Sequence, residues 1–389
     1  MNTPSLFKYI DEEASTFIDF LIDITNIESP SNDKTGVDAV ASAIETFAAG
    51  RGLIVKRTSF QRSGDGLVVE TAERAGRKPV VFIAHMDTVH VHGAFGSPPV
   101  QKQDQILTGP GIHDCKGGIA VALLAMDTLI QNGYQDRQLR LVLVPDEEVS
   151  SAYSGPEGID FIRQNVRDAA YAFCCESGNR NGDVAVGRKG ILKLDVTVTG
   201  KAAHAGSAYR QGISAIKEAA HKIISLEKFD QHENVTINCG VINGGTKPNI
   251  VPQSCTFTLD VRFLQVEEKE AALLYIEKII NHAFIPGTTA SYQIISERIP
   301  MAMTPDNLKL CDYLNEMCDE HHLTRLNPMV SGGGADSAYA VQEGVPTVCS
   351  LGIVGQYQHT LNEQADIPSL AERAKLLAAA ITGNNPFDA

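Results

Sequence analysis

Apolar positions change period along this chain, and the changes divide it. Phe17, Phe20, Leu21 and Ile24 recur at helical spacing, as do Val37, Val40, Ala43, Ile44 and Phe47, before Gly50 and Gly52 stop the pattern. Two helices are expected there. Pro79-Val80-Val81-Phe82-Ile83-Ala84 then reads as a proline-led buried strand that ends on His85. Gly117 and Gly118 open a helix with Ile119, Leu123, Met126 and Ile130 on one face. Residues 139–144 form the next strand, closed by Pro145, and 170–174 a further short one. Strand and helix in alternation predict an α/β fold, a mostly parallel sheet with helices on both faces.

After about Gly187 the period falls to two. Residues 192–199 alternate strictly, as an antiparallel strand with one wet face does. A helix over 212–226, strands near 235–242 and 255–263, a helix near 267–282 and a strand near 290–295 follow. That order, β-α-β-β-α-β, is the ferredoxin-like arrangement. Past Arg298 the earlier pattern resumes, with a helix at 308–318, a buried strand at 347–351 and a terminal helix at 370–381. The expected organisation is one domain of residues 1–187 and 298–389, with residues 188–297 inserted into it as a ferredoxin-like α+β domain. Ser331-Gly332-Gly333-Gly334 reads as a tight loop, not a linker.

Length agrees, since 389 residues exceed one ordinary core. A net charge of −14 with no Lys/Arg cluster argues against a nucleic-acid partner. No apolar run reaches the roughly 18 residues of a membrane span, so no membrane partner is expected. The start has no basic stretch leading into an apolar one, so a secretory signal is not expected. The eight cysteines form no C-x-x-C pair and lie mostly in apolar segments. Buried reduced thiols in a cytoplasmic protein are the expectation.

Chemistry concentrates in five short clusters: His85-Met86-Asp87, Asp114 within Gly111–Gly118, Asp146-Glu147-Glu148, Cys175-Glu176-Ser177 and Gln358-His359-Thr360. Most follow a buried-strand run. Groups at the C-terminal ends of parallel strands lie at the mouth of an α/β sheet, where ligands bind. Two imidazoles and three carboxylates converging there can hold two divalent metals. Asp114 is the best bridge, because the glycines after it admit a tight turn beside the ions. His85 and Glu176 would complete one metal, Glu148 and His359 the other. Asp87, two residues beyond His85, points to the same strand face and would accept its second imidazole N–H. Of the adjacent Glu147 and Glu148, one binds metal and the other stays free as general base. Each cluster alone is an ordinary turn or polar strand end; together, in this context, they point to a metal-dependent hydrolase.

The stretches Val81–Val89, Thr108–Gly118 and Val144–Glu148 resemble the M20 metallopeptidases, closest to the glutamate carboxypeptidase (carboxypeptidase G2-like) branch. So do Gly200–Gly206, Asn249–Pro252, Asp260-Val261-Arg262 and Gly332–Asp336, so the resemblance spans nearly the whole chain. It implies a two-zinc catalytic domain with an inserted dimerisation (lid) domain, hence a homodimer. Cobalt or manganese are the alternatives to zinc. It assigns His85, Asp114, Glu148, Glu176 and His359 to metal, with Asp114 bridging. Glu147 becomes the base and Asp87 the orienter of His85. His204 would reach the partner subunit's site to stabilise the oxyanion, and Asn249 and Arg262 would bind near the substrate's free carboxylate. The Asp114–Cys115 peptide would be cis. One departure is His113, where a small or apolar residue is usual; it, His90 and His92 read as polar loop histidines near the mouth.

The resulting expectation is an amidohydrolase of small peptides or N-acyl amino acids with a free carboxylate. Its rivals are a deacylase or an aminopeptidase or tripeptidase of the same family, and a non-catalytic binding protein on the same fold. A serine hydrolase and a P-loop NTPase are disfavoured, since neither G-x-S-x-G nor G-x-x-x-x-G-K-[ST] occurs.

Overall fold

The computed structural model describes residues 1–74, 76–230 and 232–387. The chain divides into two compact units, one of residues 1–187, 303–330 and 335–389, the other of residues 188–302 and 331–334.

The first unit is built on an eight-stranded sheet. Its middle strands, in spatial order Leu139–Val144, Val80–His85, Tyr171–Cys174 and Thr347–Cys349, run parallel. Ile54–Thr58 and Gly66–Glu70 extend one edge antiparallel, and Asp183–Arg188 joins the other side antiparallel before Asn327–Ser331 ends it. Both faces are dry. Val80, Phe82 and Ala84 join one apolar core with the helices Thr3–Asn26, Lys116–Gln131 and Ile367–Thr382. Val81 and Ile83, pointing the other way, are equally buried. Parallel strands covered on both faces lose alternation and read as continuous apolar runs, which is why 80–85 was legible.

Register explains how distant clusters meet. His85 pairs with Val144, so the Asp146–Glu148 turn emerges beside it. Ile83 pairs with Cys174, which brings Glu176 out on the other side. A small antiparallel sheet then joins Gln364–Asp366 to Ile106–Thr108, with Gln364 opposite Thr108. That pairing sets the loop carrying His359 against the loop carrying Asp114.

The second unit is a four-stranded antiparallel sheet in the order Thr236–Gly244, Ser254–Phe263, Gly190–Thr199, Thr289–Arg298. The helices Ala215–Leu226 and Val266–Asn281 pack against it. Leu192, Leu194, Val196 and Val198 are buried, and the residues between them face outward. This unit runs to Ala302 and also takes in Ser331–Gly334. The glycine loop is held there by Lys189 N–H on Ser331 O and by Arg262 Nη1 on Gly332 O at 3.2 Å.

Some elements escaped the sequence pattern. Ile54–Thr58 is an edge strand, mostly exposed, so its Lys56-Arg57 carries no apolar period. Gly155–Val166 opens on Gly-Pro, which looks like a loop but supplies the proline tolerated in a first helical turn.

Candidate metal centre

All five expected metal ligands lie in the first unit, and they converge. Asp114 stands between two imidazoles: its Oδ1 is 3.2 Å from His85 Nε2, and its Oδ2 is 3.2 Å from His359 Nε2. Each imidazole meets a second acid, His85 with Glu176 Oε1 at 3.8 Å and His359 with Glu148 Oε2 at 3.1 Å. Two triads therefore share one aspartate. His85, Asp114 and Glu148 offer ligand atoms within 4.8 Å of one another.

The His85, Asp114, Glu148 and Glu176 side chains are largely buried, whereas that of His359 is 53% exposed at the mouth. Burial pulls the His85 imidazole down, but Cys115, Asp114, Asp87 and Glu176 together lift it well above its ordinary range. Hydrogen bonds to Asp114 and Glu148 raise His359 to about 10. Burial, joined by repulsion from Asp114, raises Glu148 to about 7. Burial also works against the Asp114 carboxylate, yet His359 and His85 hold it well below the usual range. Such a cage of acids has an appetite for positive charge that protons satisfy in part and divalent cations would satisfy better. Among the described residues Glu148 Oε1 is buried without a hydrogen-bond partner, a cost that a bound cation would remove. The donor set, imidazole nitrogen and carboxylate oxygen, suits zinc and similar ions. The residues fit the two-metal expectation.

Asp87 does more than its spacing suggested. Its carboxylate lies 3.3 Å from His85 Nδ1, whose nearer acceptor is the Asp87 carbonyl at 3.0 Å. The same carboxylate takes the backbone N–H groups of Glu147 and Glu148 at 3.0 and 3.2 Å, and Ser31 Oγ–H at 2.6 Å. It therefore fixes the turn bearing both glutamates as well as the imidazole. Asp146, the third acid of that cluster, caps the next turn by accepting from Tyr153 N, Ser154 N and Ser154 Oγ.

The glycines after Asp114 are required by packing. A Cβ on Gly118 would lie 1.8 Å from Cys175 O, and one on Gly117 2.2 Å from Ile353 Cγ2. The helix start can approach the strand end bearing Glu176 only without side chains here. The Asp114–Cys115 peptide is cis.

Several contributors were not found from sequence. Glu363 is buried and accepts from Gly111 N, His113 N and Asp114 N, with His90 Nε2 at 2.6 Å from the same carboxylate. Cys115 converges with His85 and Glu176, but its thiol donates to Cys175 O at 3.0 Å, and burial pushes its pKa up. His90 and His113 are buried anchors and not solvated loop residues: His113 Nε2 lies 2.7 Å from Gly178 O. His92 is exposed, 3.0 Å from Asp33 Oδ2. A side chain that holds backbone amides leaves no spacing pattern in the sequence.

The remaining candidates lie in the second unit. Ala203–His204 pairs with Ile250–Val251, which places His204 beside the turn containing Asn249; both residues are exposed. His204 Nδ1 accepts from Gly206 N and Ser207 N, both at 3.1 Å, leaving the ring proton on Nε2 as an outward donor. The Arg262 fork is engaged by Asp260, with Nε at 2.5 Å and Nη2 at 2.9 Å, both facing one side of the strand.

The model for the family described as Peptidase family M20/M25/M40 matches residues 81–383. Carboxypeptidase G2 of Pseudomonas sp. (strain RS-16) is 29% identical over 381 residues, covering 97% of this chain and 91% of that protein. A tripeptidase from Staphylococcus aureus has the same fold, with a TM-score of 0.78 at 21% identity over 95% of this chain and 97% of the other. A dinuclear metal-binding peptidase of the M20 family from Bacillus subtilis superposes with a TM-score of 0.68 at 17% identity, over 95% and 98% of the two chains.

Proposed function

The chain belongs to peptidase family M20/M25/M40 and is a metallopeptidase or amidohydrolase of that type; from this premise we propose a di-zinc carboxypeptidase-like enzyme. Its substrates would be small peptides or N-acyl amino acids ending in a free carboxylate. The observation that carries the reading is Asp114, one oxygen turned to each of two imidazoles that each meet a further acid. His85, Asp114 and Glu176 would hold one ion; His359, Asp114 and Glu148 the other. Bound there, two divalent ions would lower the pKa of water and polarise the scissile carbonyl.

The chain's own residues supply the rest. Glu147 neighbours the ligand Glu148, with its backbone fixed by Asp87. In this role its carboxylate accepts the proton of the attacking water and passes it to the leaving nitrogen. Asp87 holds the ring orientation of His85. The Nε2–H of His204 is the proposed donor to the developing oxyanion, supplied by the partner subunit of an isologous homodimer. Asn249 and Arg262 are the proposed contacts to the substrate carboxylate; Asp260 is a built-in competitor that would keep Arg262 oriented when no substrate is bound. All eight cysteines are free thiols, which supports a reducing, cytoplasmic setting. Among the described residues no helix is long and apolar enough to cross a membrane.

The carboxypeptidase assignment over its deacylase and aminopeptidase rivals rests on the 29% identity across almost the full chain. The test is a panel of dipeptides, tripeptides and N-acyl amino acids, each with a free and an amidated C-terminus, assayed before and after chelation. Chelation should abolish hydrolysis, zinc, cobalt or manganese should restore it, and C-terminal amidation should block it. Full turnover in metal-free protein would refute the metal role; indifference to amidation would refute the carboxypeptidase role.

A further inference from the structure

The first unit contains a cavity of about 480 Å³ that shares no lining residue with the candidate metal centre. It lies between the Asn179-Arg180 turn, Leu323-Thr324 and the first turns of the helix Ile367–Thr382. Its volume falls within the range of small-ligand pockets.

Arg373 lines this cavity and is only 5% exposed. Its Nη2 lies over the backbone of Gly178, 3.4 Å from where a Cβ would stand. Among the described residues no oxygen accepts a hydrogen bond from its guanidinium, and no carboxylate forms an ion pair with it. Burial pulls it below its ordinary range, and Glu372 opposes this only from a distance. Arg180 on the facing wall differs, since both its Nε and Nη2 are spent on Asp366, at 2.8 and 2.6 Å. A buried cation without a counter-charge is destabilising unless something brings one.

The rest of the wall says what would bring it. Glu372 accepts Thr324 N–H on Oε1 at 2.8 Å, which leaves Oε2 available. With Glu372 and Asp366 both in the lining, a bare multivalent anion such as phosphate meets repulsion. Ile106, Leu323, Val354 and Leu376 make another part of the wall apolar. The pocket thus offers a cation, an acid and an apolar surface within one small volume.

We propose that this pocket is a second, non-catalytic site for a small zwitterion with an apolar side chain, of the free amino acid class. Arg373 takes the carboxylate, Glu372 takes the ammonium, and the aliphatic residues take the side chain. Calorimetric titration of the metal-loaded full-length protein tests it with three probes of one shape: L-leucine, isocaproate, which lacks the amine, and isoamylamine, which lacks the carboxylate. Leucine should bind, isocaproate more weakly, and isoamylamine not at all. Arg373→Met should weaken leucine at least about tenfold, the loss of a charge-assisted contact. It should also unfold at the same or a higher temperature, because it removes an uncompensated buried charge. Glu372→Gln should abolish the preference for leucine over isocaproate, and it decides the matter if the Arg373 variant fails to fold. No leucine binding at millimolar concentration, an unchanged affinity in Arg373→Met, or an unchanged preference in Glu372→Gln would each overturn the proposal.

Discussion

Replacing Glu363 by glutamine asks whether one buried carboxylate holds the candidate metal site together. Its Oε1 receives His113 N and Asp114 N, both at 3.0 Å, and its Oε2 receives Gly111 N at 3.2 Å with His90 Nε2 at 2.6 Å. The first three donors belong to the loop that presents Asp114. Glu363 itself lies four residues after His359 and next to the strand Gln364–Asp366. One side chain therefore ties Asp114, the proposed bridging acid, to the segment bearing His359. Glutamine has almost the same shape but only one acceptor. If its oxygen serves His113 and Asp114, its NH₂ faces Gly111 N–H and His90. His90 can move its proton to Nδ1 and accept; the Gly111 N–H cannot change role. A buried orphaned donor costs about 1–3 kcal/mol, and loss of charge assistance on the remaining bonds adds a similar amount, so about 2–6 kcal/mol of stability is at stake.

Urea unfolding reads that loss, and competition against a zinc chelator reads its effect on the site. Outer residues that orient metal ligands typically contribute about 10–100-fold in metal affinity, and Glu363→Gln should fall in that range. At saturating zinc, kcat should return to within a few-fold of wild type, because Glu363 is not among the proposed ligands and its carboxylate is taken up by the Gly111, His113 and Asp114 amides and His90. Wild-type stability and zinc affinity in the variant would refute the reasoning. So would a deep loss of kcat with unchanged affinity, which would put Glu363 in the chemistry.

Glu147→Gln should lower kcat by at least about 10²-fold, the ordinary contribution of a general base, with both metals retained by elemental analysis; loss of metal instead would make Glu147 a ligand. His204→Ala and Glu147→Gln homodimers should each be nearly inactive, yet mixing them should restore about half of wild-type activity per heterodimer, since one site then carries neither lesion if His204 acts in trans. No recovery after proven subunit exchange would place His204 in its own subunit's site or outside catalysis. Lys116 is fully buried against Ile27 O, and burial lowers its pKa from 10.5 to about 7. The unfolded chain keeps that proton between about pH 7 and 10.5 while the folded chain has shed it, so this residue makes stability rise with pH across that window. The stability of wild type relative to Lys116→Met, from urea unfolding, should climb over those pH values and be flat below them; a flat difference throughout would show the lysine is charged when folded.

What could be read from sequence follows from how each residue does its work. His85, Glu176 and Glu148 sit one, two and four residues beyond apolar runs, and parallel register carries such positions to one edge: His85 opposite Val144, Ile83 opposite Cys174. A strand pattern plus an acid at its end was therefore enough to expect Glu148 and Glu176 near His85. His359 had no such strand before it. Its placement depends on the pairing of Gln364 with Thr108 in a sheet of two- and three-residue strands, too short to show a period. Only its residue type put His359 in the expected ligand set, and the resemblance then carried the same assignment.

The same contrast separates Asp114 from Glu363. Asp114 acts on other side chains, so its partners are residue types that can be searched for. Glu363 acts on backbone amides, which every residue possesses, and no choice of neighbour betrays it. Gly117 and Gly118 stand between these cases: the sequence showed a helix start, but the 1.8 Å between a Gly118 Cβ and Cys175 O shows why no side chain is tolerated. Arg262 marks the opposite limit. Its motif suggested a fork aimed at substrate, while two of its donors already rest on Asp260, two positions back on the same strand face. Strand periodicity makes that pairing foreseeable, because residues i and i+2 share a face. An arginine read as a ligand-binding group must therefore be weighed first against an acid two residues away. Here the acid does not abolish the proposed role; it sets a competition in which substrate carboxylate must match a contact already made, so Arg262→Ala would raise KM less than removal of an unpaired arginine.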